Sequence, residues 1–420
     1  MKILLLTPFR PAADATAGCP LAVYDRLQLL ATRHEVTVAC FVARNESASS
    51  IEVGSSQVRV IGVSRSSERG SAAYRRWMKR SVLAAGLLRT RRPMLVQEFA
   101  SQPLRRQLRA LLAVEAFDLA LVEHILMAQY RSALPKTLPV IVSDHDVQFA
   151  LPPKLERHCP DPHTPRLSRM TAALAAGPRF LDAYEAYRRR SYARSTYRRA
   201  RMVLVPTEQD ASWLASQVPG IEPVIVPLGL GRPADRRMPT AGVRRDDVLL
   251  FVGNFAHPPN RDAARWLATE ILPEIRGTRP EVQLWLVGKD PTPEIVALAG
   301  PAVVVTGEVP HVAPYLRECT LFVAPLRQGG GTRMKVLEAL TAGTPVISTA
   351  IGAAGLPVST GRHLLIAETT EDFVEQILRL LADPAARHTL GAAASCVGDA
   401  NDVARLAQLD DVLRRSTRRD

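Results

Sequence analysis

Along the first 230 residues, short apolar runs alternate with longer amphipathic stretches. KILLLTPF (2–9) has the uninterrupted apolar character of a buried parallel strand. A loop of Pro, Ala and Gly through Gly18 leads into the amphipathic LAVYDRLQLLAT (21–32), and HEVTVACFV (34–42) supplies the next strand, completing a βαβ unit. The rhythm continues through SQVRVIGV (56–63), FDLALVEH (117–124), LPVIVSDHD (138–146) and RMVLVPTE (201–208), which predicts a doubly wound parallel sheet. Ligands of such sheets collect beyond the carboxyl ends of the strands, so His124, Asp144, His145, Asp146, Thr207 and Glu208 fall on the predicted functional rim.

An aperiodic stretch rich in Pro, Gly and Arg, GRPADRRMPTAGVRRDD (231–247), interrupts the pattern. The alternation restarts with DVLLFVGN (247–254), a helix from about Arg261 to Ile275, VQLWLVGKD (282–290), AVVVTGEV (302–309) and TLFVAPL (320–326). A helix through Ala342, TPVISTA (344–350), LLIAE (364–368) and a helix from about Thr370 to Leu381 follow. The expected organisation is an α/β chain of two Rossmann-like domains: an N-terminal one over 1–230, a linker over 231–246 and a C-terminal one over 247–384. Residues 385–420 read as a helical segment able to cross back to the first domain.

Composition narrows the class. A chain of 420 residues is long enough for two cores, and 47% hydrophobic with 23% charged residues is the balance of a folded enzyme. No run approaches the roughly 18 apolar residues of a membrane span, and the apolar start ends at Thr7-Pro8, too soon for a secretory signal, so a cytoplasmic protein is expected. The five cysteines (Cys19, Cys40, Cys159, Cys319, Cys396) are dispersed and form no CxxC pair, which argues against a disulfide framework or a zinc site. A net charge of +13, carried mostly by arginine, favours an anionic partner: nucleotide phosphates, acidic lipid or nucleic acid. Two Arg-rich segments, Tyr74–Arg92 and Tyr184–Arg199, read most simply as solvated helix faces. The first also mixes Tyr, Trp and Leu with cations, as a helix lying on an anionic membrane surface does.

The stretch with the most chemistry is PLRQGGGTRMKVLEALTAGTPVIST (325–349). A buried strand ends at Pro325, Gly329, Gly330 and Gly331 allow close backbone approach, and a helix then begins with unpaired first-turn amides. Such a turn suits a diphosphate over Gly330, Gly331 and Thr332, and Arg333 and Lys335 add full positive charges. Three glycines before a helix are more often a plain turn. Yet cations placed where a helix end is already positive make better sense with an anion bound. Glu338, further along the helix, can accept hydrogen bonds from neighbouring hydroxyls such as those of a ribose.

At these residues the chain resembles the retaining glycosyltransferases of the GT-B fold, group 1 (family 4-like), in the subgroup with a GGTR-type donor loop. FVGNFAHPPNRDAARWL (251–267), VQLWLVGKDP (282–291), VTGEVPHVAPYLRECTLFVAPL (305–326) and the glycine-loop run stand in the family's order. The N-terminal half matches more loosely through MKILLLTPFRP, FDLALVEHILMAQY and SDHDV. The resemblance implies a nucleotide-diphosphate sugar, UDP- or GDP-linked, as donor, bound by Gly253, Asn254, Arg261 and Gly329–Thr332 and approached by Gly18 and His145. It implies Glu338 on the ribose, Arg333 and Lys335 on the diphosphate, and His124 near the transferred sugar. The implied acceptor is a glycan or lipid-linked hydroxyl in polysaccharide or glycolipid synthesis, with no tightly bound cofactor and no metal. Three departures stand out: position 330 is Gly where the family's first glutamate falls, Asn254 replaces a common arginine, and the first loop has one glycine instead of two.

Each singled-out residue has a plainer reading. His124 can be a hydrogen-bonded histidine capping a buried strand. Asp144, His145 and Asp146 look like a metal cluster, but adjacent strand residues point to opposite faces and rarely chelate one ion. An NAD-dependent oxidoreductase is disfavoured because the first loop, FRPAADATAGCP, contains no GxGxxG. A nucleic-acid-binding protein is disfavoured because no zinc finger, RNP strand or recognition helix is present. A nucleotide-sugar epimerase of the same fold is the nearest enzymatic alternative.

Overall fold

The computed structural model describes residues 1–12, 18–42, 50–53, 56–64, 92–145, 147, 176–229, 245–328 and 333–417. Of the sequence expectations, Asp146, Gly329–Thr332, Cys159, linker residues 231–244 and all of the first Arg-rich segment except Arg92 lie outside the described residues. The chain divides into two compact units. One comprises Met1–Arg10, Leu30–Ile225 and Leu413–Asp420, and the other Pro11–Leu29 and Val226–Val412.

Along the N-terminal part of the chain the elements run β1 (Lys2–Thr7), α1 (Gly18–Ala31), β2 (Glu35–Val42), β3 (Ser50–Val53), β4 (Ser56–Ser64), α2 (Met94–Glu98), α3 (Gln102–Val114) and β5 (Leu119–Glu123). A 3-10 helix (Ile125–Ala133), β6 (Val140–Ser143), α4 (Ala176–Arg199), β7 (Met202–Val205), α5 (Glu208–Gln217) and β8 (Val224–Ile225) follow. Helix α1 continues past Leu29 and so begins among residues grouped with the second unit. The sheet order is β3-β4-β2-β1-β5-β6-β7-β8, parallel throughout except for the edge strand β3. That strand was not anticipated: four residues give too short an alternation to register as a strand. Leu4, Leu6, Val122 and Val142 pack with Met127, Tyr130 and Tyr197 in one core.

The second unit contains β9 (Val248–Val252), α6 (Pro258–Trp266), a π turn (Leu267–Ile271), α7 (Leu272–Thr278), β10 (Gln283–Val287), α8 (Pro293–Val296), β11 (Val303–Gly307) and α9 (Ala313–Glu318). It continues with β12 (Leu321–Ala324), α10 (Met334–Thr341), β13 (Val346–Ser348), α11 (Ala350–Ala353), β14 (Leu365–Ile366), α12 (Thr370–Ala382) and α13 (Pro384–Thr417). All six strands are parallel in the order β11-β10-β9-β12-β13-β14. Alternation along β9 explains its unbroken apolar run: Leu249 and Phe251 enter one core, while Val248 and Leu250 enter the core on the opposite face. Helix α6 starts at Pro258, three residues before the expected Arg261. Its first-turn prolines hold the helical φ where no N–H is needed, a start signal that apolar periodicity does not carry. Helix α12 begins at Thr370 behind a capping box of Thr369 and Asp372.

Helix α13 packs against the loop of Gly343, where a Cβ on Gly391 would lie 2.4 Å from the Gly343 carbonyl oxygen. Further along the same helix, buried Arg405 pairs with buried Asp25 of α1. No helix among the described residues is long and apolar enough to cross a membrane.

Candidate functional site

In the second unit the strand order reverses between β9 and β12, and in an open parallel sheet ligands gather beyond that point. The loop after β9 is held tightly there. Gly253 N donates to Val287 O at 3.0 Å and Phe255 N to Lys289 O at 3.0 Å. Gly288, at φ +142°, comes so close that a Cβ would lie 1.9 Å from Gly253 O, so glycine after β10 is required by backbone contact. Asn254 Oδ1 accepts from Ala256 N at 2.9 Å, folding the loop into an Asx turn that enters α6. Its carbonyl accepts from Asn260 Nδ2 at 2.8 Å, and Arg261 Nη1 donates to Ala256 O at 3.1 Å.

Lys335, near the start of α10, reaches this loop. Its Nζ donates to Asn260 Oδ1 at 2.6 Å and lies 4.6 Å from the centre of the Phe251 ring. Enclosure of the ammonium, and secondarily the charge of Arg333, push its pKa down from 10.5 to about 7. No carboxylate pairs with Lys335 among the described residues. A Cβ on Gly253 would lie 3.1 Å from Lys335 Nζ and 3.0 Å from Asn260 Cγ, so a larger residue there would have to displace both side chains.

Arg333 stands at the N-cap of α10, with Nε donating to Ile351 O at 3.1 Å, so it braces the β13–α11 turn. That turn is fixed in its own right: Thr349 Oγ1 accepts from Gly352 N at 2.9 Å, and Glu368 Oε1 accepts from Ala350 N at 2.7 Å. Glu338 is half-buried one turn beyond Lys335 on α10. Arg327, the other cation flanking the glycine loop, is committed elsewhere: it forms a double contact with Asp262, with Nε at 2.9 Å, and its guanidinium lies 4.6 Å from the Trp266 ring centre. The glycines and Thr332 between Arg327 and Arg333 lie outside the described residues.

A second polar group occupies the first unit, where β1 and β5 bracket the reversal of strand order. Glu123 ends β5 fully buried, and its carboxyl Oε2 lies 2.7 Å from Nε2 of the buried His145, within hydrogen-bond distance. His124 follows at φ +74° and ψ +128°, a conformation that costs a non-glycine residue energy. Its N–H donates to Ser143 O at 2.8 Å and its ring lies 5.9 Å from that of His145. The buried Asp144 accepts from the Tyr197 hydroxyl, so Asp144 and His145 serve different partners. Thr207 caps α5, accepting from Asp210 N at 3.0 Å. No group of three His, Cys, Asp or Glu among the described residues could hold a metal ion.

The expected site residues therefore fall into two groups. Gly253, Asn254, Arg261, Arg333, Lys335 and Glu338 belong to the second unit, with Gly18 opening α1, and His124 and His145 belong to the first. Sequence reading missed Asn260, Phe251 and Glu123. Asn260 sits one residue before Arg261, and nothing in the sequence pairs it with Lys335.

Residues 246–383 match the family model described as glycosyl transferases group 1. An uncharacterized 44.6 kDa protein in the cps region of Klebsiella pneumoniae is 26% identical over 140 residues, 31% of this chain, and the match spans only 36% of that relative. Among solved structures, the sucrose-phosphate synthase of Thermosynechococcus elongatus is 18% identical and covers 99% of this chain and 98% of its own with a TM-score of 0.65. Anabaena Alr3699/HepE, solved in complex with UDP and glucose, is 14% identical and covers 99% of each chain with a TM-score of 0.57. Residues 246–383 are thus similar to group 1 glycosyl transferases, and the two parallel-sheet α/β units have the GT-B fold of the solved neighbours.

Proposed function

We propose that the protein is a retaining glycosyltransferase that moves a sugar from a UDP- or GDP-linked donor to a hydroxyl of a glycan or lipid-linked acceptor. The observation that carries this reading is the Lys335 ammonium, enclosed at a strand-order reversal with one neutral acceptor and an aromatic face but no carboxylate among the described residues. An enclosed cation without a counter-ion favours an anionic ligand, because a bound anion offsets its desolvation. The family match over residues 246–383 and the UDP in the Anabaena neighbour make a nucleoside diphosphate the natural anion.

The mechanism follows from where charge develops. As the anomeric C–O bond breaks, negative charge builds on the leaving diphosphate. Cations and amides already aimed at it lower the barrier, each such donor being worth about 3 kcal/mol. In this reading Lys335, Arg333 and Arg261 supply positive charge, and the amides of Gly329–Thr332, Gly253 and Asn254 add hydrogen bonds. Glu338 holds the ribose, and Gly18 and His145 approach the donor. His124 positions the transferred sugar for attack from the face the leaving group departs, and no metal is required. The cps-region relative makes surface polysaccharide synthesis the favoured setting.

The test is a thermal-shift panel of UDP-, GDP- and ADP-sugars, followed by an acceptor assay with the donor that stabilises. A donor at about 100 times its dissociation constant adds about 2.7 kcal/mol of stability. No shift with any donor would overturn the reading, and free epimerised sugar formed without acceptor would replace it with an epimerase.

A further inference from the structure

Helix α4 (Ala176–Arg199) bears a feature that donor chemistry does not use. From Ala186 to Arg201 the chain carries seven arginines and no acidic residue. Arg190, Arg194 and Arg198 recur at intervals of four and so share one face of the helix, with Ser191 and Tyr187 beside them. These five residues and Gln217, the last residue of α5 (Glu208–Gln217), line a cavity of about 390 Å³. No carboxylate is among the lining residues. Glu185, the nearest acid in sequence, accepts from Met94 N at 2.7 Å and pairs with Arg188.

Structural roles account for part of this arrangement. Arg198 lies in the last turn of α4, where a cation complements the helix dipole. Arg194 Nε donates to Gln217 O at 3.0 Å, satisfying a carbonyl at the end of α5. Arg190, two turns earlier on the same face, also lines the cavity, although like charges four apart on a helix repel. Arg198 has no hydrogen-bond or ion-pair partner among the described residues, and the Tyr187 ring is two-thirds exposed at the rim.

The location separates this cavity from the site described above. Helix α4 leads directly into β7, and Arg201 N donates to O of Val140, the first residue of β6, at 2.8 Å. The C-terminal part of α4 therefore stands at the amino edge of the sheet, whereas Glu123, His124, Asp144 and His145 stand at its carboxyl edge.

We propose that the α4–α5 cavity is a binding site for a phosphate or diphosphate group carried by a ligand other than the donor nucleotide. Guanidinium forks match phosphate oxygens in pairs, and the Ser191 hydroxyl and Gln217 amide add neutral donors. The same chemistry serves a soluble phosphate ester and a phosphate headgroup of a lipid.

The full chain is titrated calorimetrically with inorganic diphosphate at low salt, as wild type, as Lys335→Ala and as Arg190→Gln/Arg194→Gln/Arg198→Gln. The expected result is a binding event that survives Lys335→Ala and weakens at least about tenfold in the triple variant, the scale of one or two lost charge-assisted hydrogen bonds. Flotation with phosphatidic-acid and phosphatidylcholine vesicles separates the sources. Retention on the acidic vesicles that the triple variant loses identifies a lipid headgroup, and a titration change without it identifies a soluble ester. Neither readout moving between wild type and the triple variant overturns the proposal. Unchanged donor-induced stabilisation in the triple variant controls for folding, and Arg198→Glu alone repeats the comparison if that variant misfolds. Because Lys335→Ala is measured in parallel, failure here and failure of the donor reading are distinguishable.

Discussion

Lys335 Nζ donates to Asn260 Oδ1 at 2.6 Å, joining two helices whose contacting residues are 75 positions apart. The partner is neutral, so the hydrogen bond directs the ammonium without cancelling its charge. A carboxylate at 260 would hold the lysine equally well and remove its use for an anion.

Replacing Lys335 by Ala is expected to lower turnover at saturating donor about 100-fold or more, the effect of one lost charge-stabilising donor. Asn260→Ala leaves the charge but frees its direction, so a smaller loss is expected, on the order of tenfold in kcat/KM. Steady-state kinetics on both variants check the order, and near-normal turnover in Lys335→Ala would contradict the assignment.

The depressed pKa of Lys335 gives a pH signature. Unfolded, the lysine titrates near 10.5; folded, it titrates near 7. Between those values the unfolded chain binds more protons, so this residue makes the ligand-free protein more stable as pH rises from about 7 to about 10.5. Diphosphate binding runs the other way, because the anion favours the ammonium, and affinity should fall as pH rises above about 7. Melting curves and diphosphate titrations across this range should show both trends in the wild type and neither in Lys335→Met.

Gly288→Ala is expected to destabilise by about 2–4 kcal/mol, since a Cβ at φ +142° would overlap the Gly253 carbonyl. Gly253→Ala meets side-chain atoms at 3.0–3.1 Å, which can give way. Its expected effect is therefore on donor KM, through displacement of Asn260 and Lys335, with a smaller loss of stability. Denaturant melts and kinetics on the two variants separate these outcomes.

His124 is held at φ +74°, where glycine is at ease and alanine is not. His124→Gly should be more stable than His124→Ala by about 1 kcal/mol, although both lose the imidazole. If the imidazole positions the transferred sugar, both variants lose turnover to a similar degree. Equal stability of the pair would remove the backbone argument, and activity that tracks stability would assign the histidine to the fold alone.

Much of the architecture was legible because parallel strands covered on both faces must be apolar at nearly every position, and runs such as DVLLFV and FDLALV advertise this directly. Elements whose signal is not periodicity were missed or shifted. The edge strand β3 is four residues long, and α6 starts on two prolines. Candidate residues were legible where charge or glycine marked them, as with Lys335, Arg333 and Gly253. Asn260 and Glu123 were not, because an amide beside a helix start and an acid at a strand end are ordinary in sequence and acquire meaning only through their partners.

By itself the sequence determined the two alternating α/β halves, the cation-rich glycine loop and the helix that carries Lys335, since each follows from local pattern and backbone chemistry. Only the tertiary structure decided that Lys335 meets Asn260 and Phe251 rather than a carboxylate, that Glu123 holds His145, and that Arg190, Arg194 and Arg198 border one cavity with Gln217. Periodicity fixes which face of an element is apolar. It does not fix which residues of distant elements share a desolvated space, and that sharing sets the charge and reactivity of a site.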